Sequence, residues 1–241
     1  VLALLAAGGA QAQGTALHGL ETGVEAAGWE GVGRLDIDGK GFCTGALIAP
    51  DLVLTAAHCL FDRDSGARVD PARIEFLAGL RNGRASAYRA VRRAFAHPAY
   101  RFDPAAGASE SRFDLALLEL AQPIRSSEVV PFGIGAEVAA GAAVSIVSYA
   151  AGREEVPAIE EMCGVLGEEA GVLVLSCEVD FGSSGSPIFQ VEGGVPRIVS
   201  VVSAKGELGA QRVALGTSLT RPLAELRAAI EAEDGTAALP Q

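Results

Sequence analysis

Three short stretches hold the residue types of nucleophilic catalysis. "VLTAAHC" (53–59) ends an apolar strand in two alanines and delivers His58 beside Cys59. "RFDLALLEL" (112–120) sets Asp114 at the entrance of a strongly hydrophobic strand. "FGSSGSP" (181–187) packs three serines among turn-formers between two apolar runs. Each is ordinary when taken alone, since Gly, Ser and Pro make surface turns and Asp often precedes a strand. Together they supply a hydroxyl, an imidazole base and a carboxylate to orient it, which is the set that acyl transfer needs. A metal centre fits poorly. The histidines are His18, His58 and His97, none at ligand spacing, and no C-x-x-C occurs. No metal and no cofactor are expected.

These residues need a frame, and the chain around them reads as β. "GVGRLDI", "FCTGALIA" and "LVLTAA" are strands divided by turns at "DGKG" (38–41) and "PD". Further strand signals fall at 73–78, 87–95 and 115–120, then at 129–132, 143–149, 161–167, 172–178, 187–191 and 197–203. Two sets of short strands without alternating helices predict an all-β fold. It has two antiparallel six-stranded barrels, over 29–125 and 126–220, joined near 121–131. A C-terminal helix is predicted over 221–233, with Thr220 as cap and Leu223, Leu226 and Ile230 on one stripe; 234–241 is a tail.

With 241 residues, 49% hydrophobic and 20% charged, the chain has the means to bury a substantial core. A net charge of −11 argues against nucleic acid, which needs a basic face. Residues 1–12, "VLALLAAGGAQA", read as the remnant of a secretory signal peptide, and 13–28 as a flexible lead-in. No other run approaches the length of a membrane helix. A secreted or periplasmic monomer, off the membrane, is expected. Export would let the four cysteines oxidise. The local pairs Cys43–Cys59 and Cys163–Cys177 are the economical connectivity, each joining the ends of a hairpin. Loops of about 15 residues contribute on the order of 3 kcal/mol each.

In the order His, Asp, Ser, the motifs "CTGALI" and "LTAAHC", "DLALL" and "GSSGSP" resemble those of the chymotrypsin-like serine endopeptidases. The resemblance runs from about Trp29 to Leu226, and "GSSGSP" makes its form closer to secreted bacterial members than to animal digestive ones. It implies Ser184 as nucleophile, His58 as general base and Asp114 as its orienting partner. The N–H groups of Gly182 and Ser184 would form the oxyanion hole, and Ser203 in "SVVSA" would support the buried aspartate. Protein or peptide substrates follow, with no cofactor. Ser183 stands where animal members carry Asp, and no I-V-G-G type start follows the leader, so activation by an ion pair to a freed N-terminus is not expected.

The resemblance also puts the base of the specificity pocket at Glu178, six residues before the nucleophile. Asp180 is its acidic neighbour, and Ala204 and Lys205 form the wall after Ser203. A carboxylate there predicts Arg or Lys on the acyl side of the cut. Members selective for glutamate carry a histidine near Val202, and this chain has none there. An α/β-hydrolase is excluded by order, because no histidine follows Ser184. A subtilisin-like enzyme would need a parallel α/β sheet. The other reading is a catalytically silent protease fold kept as a binding module, against which stands the presence of all three site residues.

Overall fold

The computed structural model describes residues 17–103, 108–125 and 127–237; the leader read over 1–12 lies outside them. The strands are β1 (His18–Gly19), β2 (Val32–Ile37), β3 (Gly41–Ala49), β4 (Leu52–Thr55), β5 (Ile74–Ala78), β6 (Ala87–Ala96) and β7 (Ala116–Leu120). They continue with β8 (Gly133–Ile134), β9 (Ala143–Ala150), β10 (Arg153–Glu169), β11 (Val172–Leu175), β12 (Pro187–Glu192), β13 (Val195–Leu208) and β14 (Gln211–Ser218). The helix α1 (Thr220–Ala237) closes the described chain.

β2, β3, β4, β7, β6 and β5 form a closed antiparallel barrel. In the second half, β10, β11, β14, β13, β12 and β9 follow one another, and β9 pairs back onto β10, so this sheet is also a ring. β1 adds to the outside of β10, and β8 runs parallel to β13. Tight turns set the register. Gly193-Gly194 (φ +58° and +82°) joins Glu192 to Val195, and Ala170-Gly171 (φ +51° and +85°) joins Glu169 to Val172. Two left-handed residues in a two-residue loop match the twist of the strands they connect.

The all-β prediction and the barrel pair stand, with four differences in detail. The strand expected at 129–132 is irregular, and the short β8 follows it instead. β14 was not signalled, because Gly216 interrupts its apolar pattern; a Cβ there would lie 2.4 Å from Ser200 Oγ. The lead-in expected to be flexible contains β1, and Leu20 beside it is fully buried. The helix reaches Ala237, beyond the predicted 233, and buries Leu223 and Leu226 as expected.

One apolar core runs through the first barrel and across the seam into the second, where Tyr149, Phe189 and Val201 join it. Phe189 packs on Trp29 and Phe132 with ring centres 5.1 and 4.7 Å apart. A smaller core fills the second barrel around the Cys163–Cys177 disulfide. Rigid packing at the seam matters because the candidate site draws side chains from both barrels.

Candidate active site

His58 is delivered by the end of β4. Ala56 stays extended and residues Ala57–Leu60 wind into one 3-10 turn. Cys59 is bonded to Cys43 on β3, which anchors the residue next to the imidazole. Both disulfides are the pairs expected. The two sulfurs lie close to the His58 ring, but joined to each other they offer no thiolate to a metal.

Asp114 sits between the 3-10 turn Ala108–Phe113 and β7. Its side chain is buried and turned to His58. Oδ1 accepts the His58 backbone N–H at 2.8 Å, and Oδ2 lies 2.7 Å from Nδ1. A carboxylate oxygen only accepts, so the ring hydrogen belongs on Nδ1 and Nε2 keeps its lone pair. From β13, Ser203 donates its hydroxyl to Asp114 Oδ2. Ser111 Oγ stands 3.0 Å from Ser203 Oγ, and Thr217 on β14 donates to the Ser111 carbonyl at 2.6 Å. Ser111 and Thr217 carried no signal in the sequence; they are brought together from 106 positions apart.

The serine turn is held carbonyl by carbonyl. The Phe181 carbonyl accepts from Ala151 N–H at 2.8 Å, the Gly182 carbonyl from Thr44 Oγ1 at 2.9 Å, and the Ser183 carbonyl from Ser186 N–H at 3.0 Å. In a trans peptide the N–H points opposite to the carbonyl, so these bonds also aim the N–H groups of Gly182, Ser183 and Ser184. Ser183 N–H is engaged by the Asp180 carbonyl, and Gly185 N–H by the Val202 carbonyl. Among the described residues, the N–H groups of Gly182 and Ser184 have no intramolecular acceptor. Gly182 has φ +92°, and a Cβ there would lie 2.1 Å from the Phe42 ring, so this position admits glycine alone.

Ser183, in the place of the animal members' Asp, is fully buried, and its Oγ accepts the Asp180 N–H at 3.3 Å. The turn therefore braces itself locally.

His58, Asp114, Ser184 and Ser203 line one hollow of about 370 Å³ between the barrels. Ser184 is half-buried, and its hydroxyl makes no hydrogen bond to His58 in this structure. Contacts of this type commonly tighten only when substrate is present.

Thr44 was not singled out by the sequence, although it follows Cys43 in a quoted motif. It is fully buried, its N–H donates to the Ser184 carbonyl at 2.8 Å, and its Oγ1 accepts the Tyr149 N–H at 3.1 Å as well as holding Gly182. Thr44→Val keeps the shape and removes the hydroxyl, leaving two buried backbone groups without partners. A loss of about 2–4 kcal/mol is expected, with a fall of at least about tenfold in kcat/KM. Thermal melting and a chromogenic peptide assay measure the two; a variant unchanged in both would show that the hydroxyl holds nothing.

Of the expected specificity residues, Asp180, Ala204 and Lys205 line the hollow with Ser184. Glu178 does not. It borders a second hollow of about 720 Å³ that shares Val179, Asp180 and Lys205 with the first. Asp180 is already engaged: Oδ1 accepts the Phe181 N–H at 2.8 Å and lies 3.2 Å from Lys205 Nζ. The Phe181 N–H first, and Lys205 second, hold its carboxyl below the usual range.

Glu160 on β10 is buried beneath Glu178 and accepts its N–H at 2.7 Å. Burial pushes the Glu160 carboxyl up; the Glu178 N–H lowers it and the Glu178 charge adds to the rise. A raised folded pKa stabilises below the unfolded value, near 4.3, and that contribution is lost as pH rises through the folded value. Glu160→Gln keeps the acceptor without the charge. It is expected to raise Tm by roughly 2–4 °C at pH 7–8 and to change nothing near pH 4. A gain of equal size at both pH values would rule out titration of Glu160 as its cause.

Residues 43–195, well over half of the chain, match the trypsin-like peptidase domain family. The chain belongs to that family. This trypsin-like domain is 28% identical over 154 residues to a glutamyl endopeptidase of Bacillus licheniformis. The match covers 62% of the chain and 46% of that protein, so the chain spans about half the length of its curated relative. Among solved structures it superposes on a Glu endopeptidase in complex with MPD with a TM-score of 0.72, at 20% identity, covering 93% of this chain and 98% of that one. The protease Anisep from Arthrobacter nicotinovorans gives a TM-score of 0.64 at 18% identity, covering 82% and 93% of the two chains. These likenesses establish the fold.

Proposed function

We propose that this trypsin-like domain is a serine endopeptidase that cleaves after acidic residues. The observation that carries the reading is the pair of unengaged N–H groups at Gly182 and Ser184, on a turn facing the same hollow as the His58–Asp114 couple. His58 Nε2 takes the hydroxyl proton as Ser184 Oγ attacks the peptide carbonyl carbon, and Asp114 holds the tautomer. The two N–H groups bind the oxygen as it becomes negative. His58 then returns the proton to the leaving amine, and water, activated in the same way, hydrolyses the acyl-enzyme. No step needs a cofactor, and one chain contributes both halves of the cleft. Two disulfides fit an exported protein, and no described helix is long and apolar enough to cross a membrane.

On specificity, the Arg/Lys preference read from Glu178 gives way to an acidic one. Asp180 lies beside Lys205 in an exposed pair, and Glu178 borders a hollow that also holds Arg153, Lys205 and Arg212. Both the curated relative and the first structural neighbour are glutamyl endopeptidases. Chromogenic peptides differing only in Glu, Ala or Arg before the cut decide it. Glu is expected to be favoured at least about tenfold over either alternative. A preference for Arg would restore the Glu178 reading, and hydrolysis of none would leave a silent binding fold.

A further inference from the structure

The second hollow contains a cation that forms no ion pair among the described residues. Arg153 opens β10 and its guanidinium turns back onto β9, where Nη2 donates to Ser148 Oγ at 2.8 Å and Nη1 to the Ser148 carbonyl. Ser148 is fully buried, so the guanidinium has a fixed seat. Among the described residues, no carboxylate forms an ion pair with Arg153. Burial pushes its pKa down, and the charge of Asp180 offsets this only in part. A half-buried charge held by neutral groups is a costly arrangement until an anion completes it. Of the neighbouring cations, Lys205 is paired with Asp180, and Arg212, opposite Glu207 in the β13–β14 register, is exposed and has no seat like that of Arg153. Glu178, exposed at the border of the same hollow, is the remaining acid.

We propose that Arg153 is the residue that selects an acidic side chain on the acyl side of the cut, its guanidinium receiving the substrate carboxylate. The inference rests on the acidic preference proposed above and names its source. A planar guanidinium fork matches a carboxylate, and here its orientation is set in advance by Ser148. Lys205, on the wall common to both hollows, is the second contact. Its exposed pair with Asp180 is of a weak type that exchanges partners readily.

Paired peptides with Glu or Gln before the cut isolate the charge. The parent protein is expected to favour Glu over Gln by about thirtyfold, and Arg153→Met to bring that ratio within about threefold of unity. Arg153→Lys keeps the charge but loses the fork, and is expected to lower the ratio by about three- to tenfold. Glu178→Gln removes the competing acid and is expected to raise it. A parent protein indifferent to Glu and Gln overturns the acidic reading itself. A parent that prefers Glu, with Arg153 variants that keep the full preference, overturns the assignment to Arg153 alone, as does a ratio lowered by Glu178→Gln. If Arg153→Met does not melt as a folded protein, the Arg153→Lys ratio decides.

Discussion

Ser184→Ala is expected to lower peptide hydrolysis by about six orders of magnitude and to end labelling by a serine-directed phosphonate. The fold should not notice. The Ser184 hydroxyl has no hydrogen-bond partner among the described residues, and the backbone oxygen that accepts from Thr44 is unchanged in alanine. Removing Oγ therefore orphans no buried group, and stability should stay within the range of a neutral surface change, about 0.5 kcal/mol. Labelling that survives in the variant would assign the nucleophile to another residue. A large loss of stability would mean that the hydroxyl is a structural group.

Asp114→Asn is the second large effect, expected to cost about four orders of magnitude in kcat. The asparagine oxygen can still accept the His58 backbone N–H where Oδ1 now does. The amide nitrogen would then replace Oδ2, facing both His58 Nδ1 and the Ser203 hydroxyl. It donates to Nδ1, moves the ring hydrogen to Nε2 and removes the lone pair that takes the serine proton. Ser203 Oγ can turn to accept from the same amide, so the pocket remains satisfied and the protein folds. Steady-state rates together with a thermal melt separate the two consequences. An Asn variant within tenfold of the parent would show that the tautomer is fixed by something other than Asp114.

What could be read in the sequence is what depends on local pattern. "VLTAAHC" gave both the strand and the residue that it delivers, and "EGGV" and "EAGV" are the turn chemistry that closes two hairpins. The disulfides followed from loop economy. What stayed hidden is held by distant partners. Thr44 reaches Gly182 across 138 positions, and Thr217 reaches Ser111 across 106. A threonine that caps a carbonyl from another barrel has the same local surroundings as any strand threonine. The charges around the expected specificity residues were hidden for a related reason. Glu178 and Asp180 read as a pair of acids, whereas folding sets Lys205 against one of them and Arg153 on the hollow behind the other.

The hydrogen bonds from Thr44 also tie catalytic competence to time. Ala151 and Ser186 of the second barrel hold the Phe181 and Ser183 carbonyls, whereas Thr44 of the first barrel holds the Gly182 and Ser184 carbonyls and Tyr149, so the serine turn is fully braced only once the halves have docked. While the chain is still folding, His58 and Asp114 of the first barrel can come together but remain apart from Ser184, which the second barrel carries. The polypeptide is then chemically silent toward itself and its neighbours. Docking of the barrels is what brings the three side chains to one hollow, and anything that parts the barrels takes the site apart with both disulfides intact.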